Sequence, residues 1–465
     1  MAVEQGLQQG LQQRHLTMIA IGGVVGASLF VGSSALLASA GPAASVTYAI
    51  TAIGIVFVMR MLGEMAVANP ATSSFAGYAR AAFGRWAGFC TGWLYWYFWA
   101  IVVGYEAVVG GKLLQYWIDL PSWLMGGLLL VAMLASNLVS VRNYGEFEYW
   151  LSAVKVTAIV AFLAIGIAFA AGLWPSREAD LSNLVAHGGF APHGWGVVFS
   201  GIVVAVFSMV GAEIATIAAG ESAEPERAIA RATNSVIVRS GLFYAGSALV
   251  LSLVVPWDKI TVGQSPFVDA LDVVGIPGGA DIMNFVVLIA VLSCLNSGLY
   301  TCSRMLFTLA ASGDAPPRAA AVSKRGVPRI ALLACAAVAV LCIILDYFTP
   351  ETAFLFLLNT SGATIMIVYL MIALSQIRLR RRYEREAPER LTLKMWLFPY
   401  LSVLTALAII ALLVSMFFQD SSRDQIALSL LATVVIALAY PARKMFRRDR
   451  DDSDTESPRR IPADT

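Results

Sequence analysis

Three ionisable side chains stand inside apolar runs where an unpaired charge is costly. Glu106, Lys155 and Glu213 each fall in a stretch long enough to cross a bilayer, and a charge that faces lipid there costs a few kcal/mol. Groups so placed can carry a proton or hold a charged solute. Two glycine-bearing segments lie in runs of the same kind: "AIGGVVGASLFVG" at 20–32, with Gly22, Gly23, Gly26 and Gly32, and "VAVFSMVGAEIATIAAGES" at 204–222, with Gly211 beside Glu213. Glycine costs a helix interior about 1 kcal/mol relative to alanine, so a use for the interruption is worth seeking. A broken helix offers free backbone amides, which suit a carboxylate, and free carbonyls, which suit an ammonium. Together these describe a site for a zwitterion. Glycines also permit close helix packing, and Gly22 with Gly26 is a GxxxG pair.

The elements that must position these residues are membrane helices. Of the 465 residues 58% are hydrophobic and only 13% charged, against about a quarter charged in soluble domains, and the mean hydropathy is +0.73. Apolar stretches of about 20 residues predict twelve spans: 17–38, 43–66, 86–111, 123–141, 149–172, 195–219, 234–255, 281–311, 330–348, 353–377, 396–418 and 424–440. With twelve spans, 27 of the 32 Lys and Arg residues fall in loops or span ends on the side of both termini (Arg60, Arg239 and Arg304 at span ends), four fall on the other side, and Lys155 is the one left to a span interior. The excess marks the cytoplasmic face, so both termini are expected inside. The two glycine motifs fall in spans 1 and 6. Five helices form an odd unit, so these two spans run in opposite directions, as an inverted repeat requires, and the spacing favours a site over packing.

Several function classes are disfavoured. The five cysteines, Cys90, Cys294, Cys302, Cys335 and Cys342, all lie in predicted spans, and the three histidines, His15, His187 and His193, make no cluster with them at metal-ligand spacing. No nucleophile set, Walker motif or cleaved signal peptide is visible, and a net charge of +2 gives no reason to expect a nucleic-acid partner. No cofactor is expected, and nothing in the sequence sets an oligomeric state. The tail "RRDRDDSDTESPRRIPADT" reads as a solvated end, with contact to anionic lipid as the weaker alternative because acidic residues interrupt it.

The wording of three segments is familiar. "GGVVGASLFVGS", "FSMVGAEIATIAAGESAEPERAIARATNS" and "SCLNSGLYTCSRMLFTLAASGDAP" resemble motifs of the amino acid-polyamine-organocation superfamily, nearly end to end along the chain. "GRWAGFCTGWLYWYFW", "SNLVSVRNYGEFEYWLSAVK" and "RATNSVIVR" resemble the bacterial amino acid permeases, most closely the gamma-aminobutyrate (GABA) permeases. The resemblance implies an all-α polytopic protein of the bacterial inner membrane: a cytoplasmic amino terminus (1–16), a first inverted repeat (17–172), a second (195–377), two added helices (396–440) and a charged tail (441–465). It implies import of a small amino acid by proton symport and alternating access, with the proton as coupling ion. Permeases for proline, aromatic or basic amino acids, and exchangers, share much of this wording.

By position in these motifs, Gly26, Ala27 and Ser28 match the unwound part of span 1 whose amides hold the substrate carboxylate. Phe207, Ser208 and Gly211 match the span 6 break, with Phe207 covering the substrate. Where many relatives have Gly-Thr-Gly or Gly-Ser-Gly, this chain has Gly26-Ala27-Ser28, which removes a hydroxyl at 27, narrows the pocket at 28 and bears on selectivity. The resemblance assigns Lys155 to proton coupling, at a place sodium occupies in sodium-coupled relatives. The alternative is snorkelling, since the predicted helix starts at 149, about two turns away. Glu213 either binds amine or carries a proton, or else serves as a structural partner for backbone or a basic side chain. Glu106 either faces outside water or, facing the bundle, joins substrate or proton binding. Cys294 resembles a pathway cysteine. Asn296, Ser297, Tyr300, Ser303 and Arg304 could line the substrate path or bond neighbouring helices, and "GWLYWYFW" reads as packing and interface anchoring.

Overall fold

In the computed structural model the described residues are 25–69, 74–139, 141–174, 181–211, 213, 240–323, 326–419 and 422–442. Gly22, Gly23, the amino terminus, most of the segment after Gly211 and the charged tail lie outside them. Among the described residues there is no β-strand. Seven helical segments among these residues are apolar and long enough to cross a membrane, and three shorter apolar helices accompany them.

Span 1 is not one helix. Gly26 is extended, α1 covers Ala27–Phe30 and α2 covers Ser33–Ala40. The long α3 (Ala44–Ala68) follows, then the short α4 (Phe75–Phe83), started by the Ser74 hydroxyl accepting from the Gly77 amide at 3.2 Å, as an N-cap side chain does. Next come α5 (Arg85–Leu114), α6 (Ser122–Val139) and α7 (Val141–Ala170). Span 6 is again in pieces, α8 (Gly196–Ser200) and α9 (Ile202–Ser208). Beyond a π-helical turn at Ser240–Gly246 lie α10 (Ser247–Val254), α11 (Pro266–Val274) and α12 (Gly279–Ala311). The last four helices are α13 (Arg329–Phe348), α14 (Ala353–Glu386), α15 (Tyr400–Ser415) and α16 (Arg423–Ala439).

Two boundaries differ from the sequence expectation in ways that matter. The fifth span begins at Val141 rather than 149, because "VRNYGEFE" has too many polar residues for a hydropathy window to include it. The tenth continues past 377 to Glu386 as a charged helix.

The centre of the fold is α5, which packs against α4, α6, α12, α13 and α14. Its aromatic residues interlock: Tyr95, Phe98 and Trp99 meet one another with ring centroids 5.6–6.2 Å apart. Ion pairs clamp its two ends. Arg80 of α4 pairs with the buried Asp314 just after α12, and Trp93 Nε1 donates to the Asp314 carbonyl at 3.0 Å. At the other end Lys112 pairs with Asp346 of α13 at 3.2 Å, and Ser122 donates to the same carboxylate at 2.9 Å.

A third polar cluster joins α3 to α14. The buried Glu64 accepts from Arg380 Nη1 and from Gln376 Nε2, both at 2.9 Å, and from the Met395 amide. Removing one member of a buried ion pair strands the other charge and costs about 3–5 kcal/mol. Arg380→Met is therefore expected to lower the thermal unfolding midpoint of the detergent-solubilised protein markedly. Arg382→Met, which breaks only the exposed pair with Glu386, leaves it unchanged.

Candidate functional site

The first break is held open by a carboxylate. Gly26 has φ −120° and ψ −156°, so the chain enters α1 from an extended residue, and the first amides of the helix lack intrahelical acceptors. The Ala27 amide donates instead to both oxygens of Glu106, at 3.2 and 3.1 Å. Glu106 is 1% exposed and reaches this amide from α5, so it faces the bundle and not outside water. There is no room for a side chain at Gly26: a Cβ would collide with Glu106 Oε1 and lie 2.7 and 2.8 Å from Cys294 Cβ and Sγ. Cys294 stands against Gly26 together with the same carboxylate. Ser28 is tied to the second break, its carbonyl accepting from Ser208 Oγ at 3.0 Å.

That second break carries its own carboxylate. α9 stops at Ser208, and Gly211 takes φ +101°, which side chains rarely adopt. Its amide donates to Glu213 Oε2 at 2.9 Å, Tyr369 OH donates to the same oxygen at 3.0 Å, and Tyr95 OH donates to Oε1 at 3.2 Å. Glu213 thus bonds backbone and two tyrosines in this structure. Phe207, just before the break, meets Tyr105 edge to face at 5.2 Å and Phe98 at 6.3 Å.

Lys155 does not snorkel. The earlier start of α7 puts it about four turns into the helix, wholly buried. Its ammonium donates to Ser293 Oγ at 2.8 Å and lies 3.8 Å from Glu148 Oε1. Its charge also acts on Glu106, which joins it to the first break. Asn296 bonds a neighbouring helix, accepting from Asn137 Nδ2 at 2.6 Å, and the Arg304 guanidinium stacks 4.3 Å over the Tyr300 ring. Sequence reasoning missed Glu148, Ser293, Tyr95 and Tyr369. Glu148 and Lys155 are seven residues apart and so share a helix face, a signal hidden by starting the helix at 149. Among the described residues no three His, Cys, Asp or Glu side chains group as a metal site.

The site therefore combines two interrupted helices, each with a buried carboxylate on an interrupted-helix amide, and an ammonium within electrostatic reach of the first. The family described as Amino acid permease matches residues 15–454. The chain is 48% identical to the gamma-aminobutyric acid permease of Bacillus subtilis over 94% of each chain. It is 44% identical to that of Escherichia coli over 94% of this chain and 95% of the other. It is 39% identical to an aromatic amino acid transport protein of Corynebacterium glutamicum over 91% and 92%.

Close approach at Gly26 makes a direct prediction. Gly26→Ala forces α5 or α12 away from α1, and overpacking of this kind costs about 1–3 kcal/mol, read as a lower unfolding midpoint in detergent. Gly54→Ala, where a Cβ meets nothing within 4 Å, does not lower it.

Proposed function

Because the chain belongs to the amino acid permease family, and is thus a multi-pass membrane transporter and not an enzyme, we propose that it imports GABA or a similar small zwitterionic amino acid by proton symport. In this reading it crosses the bacterial inner membrane twelve times with both termini cytoplasmic. Two inverted five-helix repeats meet at the breaks of α1 and α9, and two further helices follow. Alternating access exposes the site to each side in turn.

One observation carries the reading: the Ala27 amide, placed where a substrate carboxylate belongs, is already occupied by Glu106. Two carboxylates cannot share one amide in a low-dielectric site while both are charged. A proton on Glu106 removes the repulsion and frees the amide, so a substrate carboxylate can take it. Proton binding and substrate binding then favour one another, and by linkage the effect is reciprocal. The substrate ammonium turns to the carbonyls of the turn after Ser208, and Phe207 closes over the methylenes. Lys155 balances charge at Glu106 whenever the proton is absent, which places it in coupling. Glu213, with three donors already on it, holds the second break in shape. Ala27 without a hydroxyl and Ser28 in place of glycine are the positions that bear on selectivity. An aromatic or basic substrate, or exchange in place of symport, is the alternative that the same framework could serve.

Uptake of labelled GABA into vesicles with an imposed inward proton gradient tests this reading. GABA is expected to accumulate and β-alanine to compete, while proline, lysine and phenylalanine compete less. Accumulation that survives collapse of the gradient would rule out proton symport, and stronger competition by phenylalanine would move the substrate to the aromatic class. Glu106→Gln cannot release a proton and is expected to exchange GABA without responding to the gradient. Lys155→Ala should lose accumulation more than binding.

A further inference from the structure

Beside the substrate cradle lies a chain of buried groups that substrate binding does not use. Lys155 Nζ donates to Ser293 Oγ at 2.8 Å, and the same Ser293 hydroxyl donates its own hydrogen to Glu148 Oε1. Lys155, Ser293 and Glu148 are all fully buried. Ser152 adds a second hydroxyl to the carboxylate at 3.3 Å. A hydroxyl that accepts from an ammonium while donating to a carboxylate is the arrangement a proton needs in order to cross without the heavy atoms moving. Glu148 stands about two turns from the amino-terminal end of α7 and about 10 Å along the helix from Lys155. It is therefore on the side of Lys155 nearer the arginine-rich face.

A buried ion pair is weak evidence for stability, because desolvation offsets most of the attraction. This one sits inside the bundle, where a buried ionisable group is by default a functional candidate. The titratable groups that act on Lys155 are Glu148 from its own helix, Cys294 from α12 and Glu106 from α5. Of the two carboxylates that act on this ammonium, Glu148 is the one in direct reach, at 3.8 Å, and Glu106 acts from farther off.

We propose that Glu148 is the inner acceptor of the coupling proton, reached from Lys155 through the Ser293 hydroxyl. This rests on the proton-symport reading above. In the transfer the Lys155 N–H bond breaks as Ser293 gains that hydrogen, and the Ser293 O–H bond breaks as Glu148 gains its hydrogen. The products are a neutral amine, an intact hydroxyl and a carboxylic acid. Protonated Glu106 then gives its proton to the Lys155 amine, which regenerates the ammonium and the Glu106 carboxylate. Glu148 loses its proton to the cytoplasm. The regenerated Glu106 carboxylate reclaims the Ala27 amide, and substrate is expelled on the side to which the proton has gone.

Purified full-length protein in vesicles loaded with a pH-sensitive dye tests this, with labelled GABA as the probe. Two signals are read: proton entry that accompanies GABA, and GABA counterflow at equal pH on both sides, which needs no net proton movement. Glu148→Gln and Ser293→Ala are expected to reduce proton entry to the level of protein-free vesicles while counterflow persists, and Ser293→Thr, which keeps the hydroxyl, restores proton entry. Proton entry as in the unmodified protein in Glu148→Gln overturns the proposal. So does loss of counterflow in parallel with proton entry, which would make Glu148 a structural counter-ion only. If the unmodified protein itself shows GABA counterflow without proton entry, proton symport fails, and the relay with it. That failure is seen in the unmodified protein and is distinct from one seen only in the variants.

Discussion

A helix interrupted within a bilayer strands backbone amides that have no water to bond, and a carboxylate placed there strands a charge that has none either. In this protein each difficulty resolves the other. Ala27 and Gly211, at the breaks before α1 and after α9, donate to Glu106 and Glu213. Most of the fold can be read as support for these contacts. α5 delivers Glu106 and Tyr95, α14 delivers Tyr369, and the pairs Arg80–Asp314 and Lys112–Asp346 hold α5 at both ends. Ser208 joins the breaks by donating to the Ser28 carbonyl.

The two carboxylates are not equivalent, and the difference separates their roles. Glu213 accepts from one amide and two tyrosines, so releasing it would strand several donors, and hydrogen bonds to a charged group contribute about 1.5–3 kcal/mol each. Glu106 has one amide, with Lys155 acting at longer range. It is the more easily exchanged of the two. The proposed coupling needs that property: a group that fills the substrate's place when charged and leaves it when neutral. The relay to Glu148 extends the same idea, because Lys155 can answer a change at Glu106 only if it has a second carboxylate to answer to.

Much of this was legible in the chain, and the remainder was hidden for identifiable reasons. Gly26, Gly211, Glu106, Lys155 and Glu213 stood out because glycine and charge are conspicuous in apolar surroundings. What could not be read was who meets whom. The Ala27 and Glu106 partners are 79 residues apart, and Glu64 and Arg380 are 316 apart. Neither separation leaves a local periodicity. Glu148 was missed for a different reason: hydropathy set the start of α7 too late, which also made Lys155 look close to the membrane surface. The aromatic run of α5 was correctly read as packing material, yet Tyr95 uses its hydroxyl on Glu213, a role that residue type alone does not announce.

The central claim is that Glu106 keeps the substrate's place on the Ala27 amide. A structure of the full-length protein in lipid with GABA bound tests it most directly. The account predicts the GABA carboxylate within hydrogen-bond distance of the Ala27 amide and both Glu106 oxygens withdrawn from it. GABA bound while Glu106 still accepts from Ala27 would contradict it.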